Sequence, residues 1–143
     1  MSDMSLFFKS NQKQKDNVFY TATKSLCDEN GEPLKWEIRP ISTRENDRLQ
    51  DECTSEVQVP GKANRFRQRL NTSKYLGKLL TESVVYPDLL SAELQDSYKV
   101  NTPEDLLKEM ISNPGEYSDF ALFVQDYNGF DTSTTDLKDK AKN

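Results

Sequence analysis

Histidine is absent from this chain. Its absence removes the commonest general base, the Ser-His-Asp and Cys-His arrangements, and every imidazole metal ligand. Cysteine occurs twice, as Cys27 and Cys53, too few for a structural zinc site without histidine partners. The two could join in one disulfide, but no feature indicates secretion, and reduced thiols in a cytosolic protein are expected. Glycine is scarce, and Gly31, Gly61, Gly115 and Gly129 fall at predicted turns or helix ends. None belongs to a G-x-G-x-x-G or G-x-x-x-x-G-K pattern, so no phosphate cradle is visible. Long apolar runs are missing too. Nothing approaches the roughly 20 residues of a membrane span, and Leu6-Phe7-Phe8 is too short for the core of a signal peptide. No enzyme, cofactor, metal or membrane role is expected.

What is present is lean but foldable. Hydrophobic residues make up 34% of the 143 residues and charged ones 30%, poorer than the average globular mix. Aromatics at 10% nevertheless argue against wholesale disorder. The expectation is a modest core with loose ends: an arm over 1–17, one α+β domain over 18–130, and a disordered polar tail over 131–143.

Val18, Tyr20, Ala22 and Leu26 follow one alternation and Leu34, Trp36, Ile38 and Pro40 another, the mark of strands with one buried face. Asn30-Gly31 between them is a strong hairpin signal, because both residues tolerate positive φ. Ser42-Thr43-Arg44-Glu45 reads as a capping box opening a helix that runs to about Cys53. Val57 to Lys62 predicts a strand entering a turn, with Arg65 to Leu70 returning. Arg65, Arg67 and Arg69 should then share one face, and Phe66, Gln68 and Leu70 the other.

The second half reads as helical. Thr72 is the expected cap of a helix with a stripe of Tyr75, Leu76, Leu79, Leu80 and Val84, stopped by Pro87. Ser91 caps Ala92 to Tyr98. Thr102-Pro103 and Asn113-Pro114 each place a cap before an N1 proline, and Gly129 closes the last helix. The expected fold class is α+β, with N-terminal antiparallel hairpins followed by a bundle of four to five short helices.

Candidate chemistry is thin. Glu104-Asp105 suits the positive end of a helix rather than acid–base work. Cys27 has no activating histidine, and Asp28-x-Asn30-x-x-Pro33 lacks the further oxygens of a calcium loop. The charge distribution is more informative. Net charge is -5, yet Lys62 to Lys74 carries five basic groups and no acid, while Asp88 to Asp126 carries nine acids against Lys99 and Lys108. Such a dipole suits head-to-tail contacts or a bipolar partner, although both faces could simply be solvated. Lys62, Arg65, Arg67 and Arg69 are the candidate partner-binding residues. The same arginines beside Phe66 have the ingredients of a phosphate-contacting ribbon, or of an edge strand guarded by charge. The negative net charge disfavours nucleic acid.

Several strings in this order resemble one family. Asp28-Glu29-Asn30-Gly31-Glu32-Pro33 precedes Trp36-Glu37-Ile38-Arg39. Val84-Val85-Tyr86-Pro87-Asp88-Leu89 precedes Ala92-Glu93-Leu94-Gln95-Asp96-Ser97-Tyr98. Pro114-Gly115-Glu116-Tyr117 and Asn128-Gly129-Phe130 complete the series. Together they are similar to the XkdN-like tail assembly chaperones of phages and prophages, across about Val18 to Phe130. The resemblance implies a non-catalytic factor without cofactors. It would bind the tape measure protein in the host cytoplasm, keep it soluble during tail assembly, and be absent from the mature virion. Self-association and the tail tube protein are further partners it brings into view. The alternative is a small nucleic-acid-binding or adaptor protein of a mobile element that uses the basic hairpin.

Overall fold

A computed structural model of the chain describes residues 3–130. Two 3-10 turns, Met4–Phe7 and Lys9–Asn11, precede strand β1 (Val18–Tyr20) and strand β2 (Trp36–Ile38). Helix α1 (Thr43–Glu52) leads into strands β3 (Thr54–Gln58) and β4 (Phe66–Leu70). Helix α2 (Thr72–Ser83) runs directly into strand β5 (Val84–Tyr86). Helices α3 (Ala92–Ser97), α4 (Pro103–Met110) and α5 (Pro114–Tyr127) follow. The α+β class and the five helices agree with the sequence pattern.

The strands form two separate sheets. One has the order β1-β2-β5, antiparallel throughout, and the other is the β3-β4 ribbon alone. In the first sheet β2 is central, and its Trp36 and Ile38 are almost wholly buried. Alternation therefore placed the buried face of β2 correctly.

The N-terminal hairpin differs from expectation in its connection. Only Val18 to Tyr20 pairs with Trp36 to Ile38, so a long excursion separates the strands. The Asn30-Gly31 turn closes a smaller loop inside that excursion. Gly31 adopts φ 80°, its N–H donates to Asp28 O at 3.0 Å, and Cys27 bridges Pro33. Turn chemistry acts over four residues, so it made the local reversal without bringing the long strands into register.

Two boundaries in α2 also differ. Asn71, not Thr72, is the cap, with its Oδ1 accepting from the Lys74 N–H at 3.1 Å. Val84 does not extend the helix; it pairs with Ile38, while Arg39 N donates to Ser83 O at 2.8 Å. The bare edge of β2 satisfies three residues that helical periodicity alone would have carried on turning. The remaining caps stand where expected. Ser42, Ser91, Thr102 and Asn113 each accept from a backbone N–H three residues on, and Ser42 with Glu45 completes the capping box.

One cluster joins the sheet to the helices. Trp36, Ile38, Leu49, Leu79, Leu80, Leu106, Leu107, Ile111, Phe120 and Val124 are all but inaccessible. Tyr20 stacks on Phe123 with ring centroids 4.1 Å apart, and Trp36 meets Phe120 edge-on at 6.1 Å. Polar links reinforce the same junction. Thr23 Oγ1 and the Lys24 N–H donate to the two carboxylate oxygens of Glu116, at 2.7 and 2.8 Å. The Lys24 backbone bond first, then the Thr23 bond, with a smaller contribution from the Lys24 charge, hold the Glu116 carboxyl below its ordinary pKa.

Candidate partner-binding surface

The candidate basic residues lie on the β3-β4 ribbon, and the ribbon follows from local sequence. Gly61 takes φ 79° at its tip, which a side chain would oppose. There Lys62 N donates to Val59 O at 3.1 Å and Arg65 N to Lys62 O at 3.2 Å. Val59 N donating to Arg65 O at 2.9 Å continues the ladder, so Arg65 faces Val59. Further down, Val57 faces Arg67 and Ser55 faces Arg69. Period two then puts Arg65, Arg67 and Arg69 on one face with Val57 and Val59 between them. Phe66, Gln68 and Leu70 occupy the other, opposite Gln58, Glu56 and Thr54. The expected division of faces is correct.

Burial is not as a two-faced strand would suggest. Every residue from Pro60 to Arg69 is exposed, Phe66 to 61%, while Thr54, Val57 and Val59 on the β3 side and Leu70 at the base of β4 are half-buried. Neither face of the ribbon seats on the core. Among the described residues, Lys62, Arg65, Arg67 and Arg69 form no ion pair, whereas Arg39, Arg48 and Lys78 are engaged with Glu45, Glu52, Glu82 and Glu104. The ribbon thus presents guanidinium groups with no carboxylate committed to them.

Other surface features escaped the sequence reading. Met4, Leu6, Phe7 and Phe8 are 60 to 81% exposed, so the apolar residues of the arm do not pack into the core. A mostly apolar cleft of ≈ 210 Å³ opens between Leu34, Trp36, Tyr86, Leu94 and Met110. Its rim could be foreseen only from the β2–β5 pairing. Leu106, Met110 and Phe120 on the C-terminal helices are core, and Phe123 is half-buried beneath Tyr20. Cys27 is exposed and Cys53 buried, both as free thiols. Among the described residues no group of three or more acids or thiols is placed to hold a metal ion, and no helix is long and apolar enough to cross a membrane.

The chain is thus a small α+β protein whose basic ribbon and several apolar side chains are uncovered. The chain belongs to the family of phage XkdN-like tail assembly chaperone proteins, whose family model matches residues 4–142. It is 28% identical over 141 residues to the phage-like element PBSX protein XkdN of Bacillus subtilis (strain 168), covering 99% of this chain and 94% of that one. An uncharacterized protein of the same strain, YqbN, is also 28% identical over 141 residues, covering 99% and 93%. The crystal structure of YqbN superimposes with a TM-score of 0.76 over 92% of this chain and 99% of that one, at 24% identity. That likeness supports the fold.

Proposed function

We propose that this tail assembly chaperone binds the phage tape measure protein and keeps it soluble until the tail tube forms, without catalysing a reaction. The carrying observation is the family match across 4–142. Exposed apolar residues at both the arm and the cleft rim support it, since contiguous apolar exposure marks interaction sites. In this reading residues 18–130 form the working domain, flanked by the arm and by a polar tail over 131–143 that lies outside the described residues. The protein acts in the host cytoplasm and leaves before the virion matures. The tail tube protein is a second candidate contact.

Capture of a long helical ruler favours modest affinity per copy with many copies along the filament, because multivalency holds the array while each contact stays releasable. Co-expression with the tape measure protein of the same phage, followed by size-exclusion chromatography, tests the reading. The expected result is a soluble complex of the two chains. A tape measure protein that stays equally insoluble with and without this chain refutes it.

A further inference from the structure

We infer that the apolar cleft between β2, β5, α3 and α4 seats bulky apolar side chains of an amphipathic, basic helix of the tape measure protein, a contact that rests on the proposed function and adds to it a surface and a chemistry. Four features point to this occupant: the apolar walls of the cleft, its size, the blunted strand edge beside it and the charge around it.

Trp36 of β2, Tyr86 of β5, Leu94 of α3, Met110 of α4 and Leu34 line the cleft. Trp36 and Met110 belong to the core, whereas Leu34 and Tyr86 keep 43% and 66% of their surface open at the rim. Apolar side chains scattered over a surface are ordinary, but here they adjoin one concavity, which marks an interaction site. Its volume of ≈ 210 Å³ falls below the roughly 300–1,000 Å³ of small-molecule pockets. Among the described residues only Lys35 brings a charge to the lining. The space suits one or two side chains of a partner rather than a cofactor.

The neighbouring strand decides between an added strand and a helix. β5 is an outer strand of its sheet and so offers a free edge. It has three residues, its register against β2 slips between Glu37 and Ile38, and Pro87 follows it with no N–H to donate. Short length, irregular register and proline all discourage strand addition. A side-chain knob on a helix needs no such edge. Charge supplies the rest. Helix α3 contains no basic residue, and its Glu93 and Asp96 are exposed around Leu94. Asp88 beside Pro87 and Glu109 beside Met110 are exposed too, and none of the four is in an ion pair among the described residues. Against them stand Lys35 and Lys99. Apolar knobs flanked by lysine or arginine therefore complement the site, and such complementarity sets register and association rate. The chain's own arm is also apolar and basic, but none of its residues lines the cleft. Lys15 fastens it instead to the Tyr127 carbonyl, lying 4.3 Å from the centre of that ring.

Trp36 is the chain's single tryptophan and lines the cleft, so its emission reports occupation. Tryptophan-free peptides of about 20 residues, tiling the tape measure protein of the same phage and each able to form a helix about 30 Å long, are titrated into the full chain. Peptides that carry leucine, methionine or phenylalanine at i and i+4 beside lysine or arginine should shift the emission saturably, and peptides without that pattern should not. Leu34→Arg should weaken binding about tenfold or more, as spoiling an interface anchor does. Glu93→Lys/Asp96→Lys should weaken it about threefold at low salt and less at high salt. Circular dichroism should show both variants folded, since all three positions are exposed. Phe19→Arg, at an equally exposed apolar residue on the far face of the same sheet, should bind as wild type does. Co-expressed with the tape measure protein, Leu34→Arg should lose the soluble complex that wild type forms. If it keeps that complex equally well, the cleft is not the seat and the proposed function stands; a wild type that forms no complex overturns both. An emission that changes with protein concentration alone, or on removal of residues 1–11, assigns the cleft to a second copy or to the arm and also overturns the inference.

Discussion

Glu45 sits where three elements meet, and its protonation should be visible in the stability of the whole chain. Arg39, one residue beyond β2, reaches Glu45 in α1 through two bonds, Nη1 to Oε1 at 3.1 Å and Nη2 to Oε2 at 2.7 Å. Its Nη2 also lies 3.3 Å from Glu82 near the end of α2. Glu45 Oε1 accepts from the Ser42 N–H at 3.1 Å as the second half of the capping box. The guanidinium, with help from that backbone bond, lowers the Glu45 carboxyl from 4.5 to about 2. At about 1.4 kcal/mol per unit the gross effect is near 3 kcal/mol. Glu45 is partly open to water, and screening reduces this to about 1–2 kcal/mol.

Because the folded pKa lies below the unfolded one, the contribution is complete above about pH 5 and drains away as pH falls toward the folded value near 2. Urea unfolding of wild type and Glu45→Gln, followed by far-UV circular dichroism, tests it. At neutral pH the variant should be less stable by about 1–2 kcal/mol. That gap should narrow progressively below pH 5 and nearly close by about pH 2.5. A gap that stays constant across this range would show that the variant acts through packing, and the charge argument would be wrong.

The remaining expectations follow from single contacts. Phe120→Ala removes a fully buried ring between Tyr20 and Trp36 and should cost about 3–5 kcal/mol in a urea titration. Asn71→Ala should cost about 1 kcal/mol while Thr72→Ala costs clearly less, because Asn71 caps α2; equal costs would move the cap back to Thr72. Glu116→Gln weakens the tie between α5 and the Thr23–Lys24 backbone, so limited proteolysis between Lys24 and Lys35 should accelerate at neutral pH, with unchanged cleavage refuting the tie. Gly61→Val should slow ribbon closure and raise amide exchange in β3 and β4 but not in α5, since the positive φ is needed only at the tip.

Much of this molecule is legible in its sequence because the relevant forces are short-ranged. A cap and the amide it serves are three residues apart, which is why Ser42, Ser91, Thr102 and Asn113 open helices as read. Alternation needs only the pleat, so Trp36 and Ile38 were identifiable as core and Arg65, Arg67 and Arg69 as one face. The string series likewise indicated the family that matches 4–142. Tertiary structure decided whatever depended on a distant partner. Val84 to Tyr86 suits helix or strand, and the free edge of β2 made it β5. The Asn30-Gly31 turn was certain locally, yet how far β1 and β2 pair was set by the core beneath them. Phe66 alternates like a buried residue and is exposed because no layer lies over the ribbon. The fate of a face depends on what the fold brings against it, and residue order alone carries no record of that until the chain has closed.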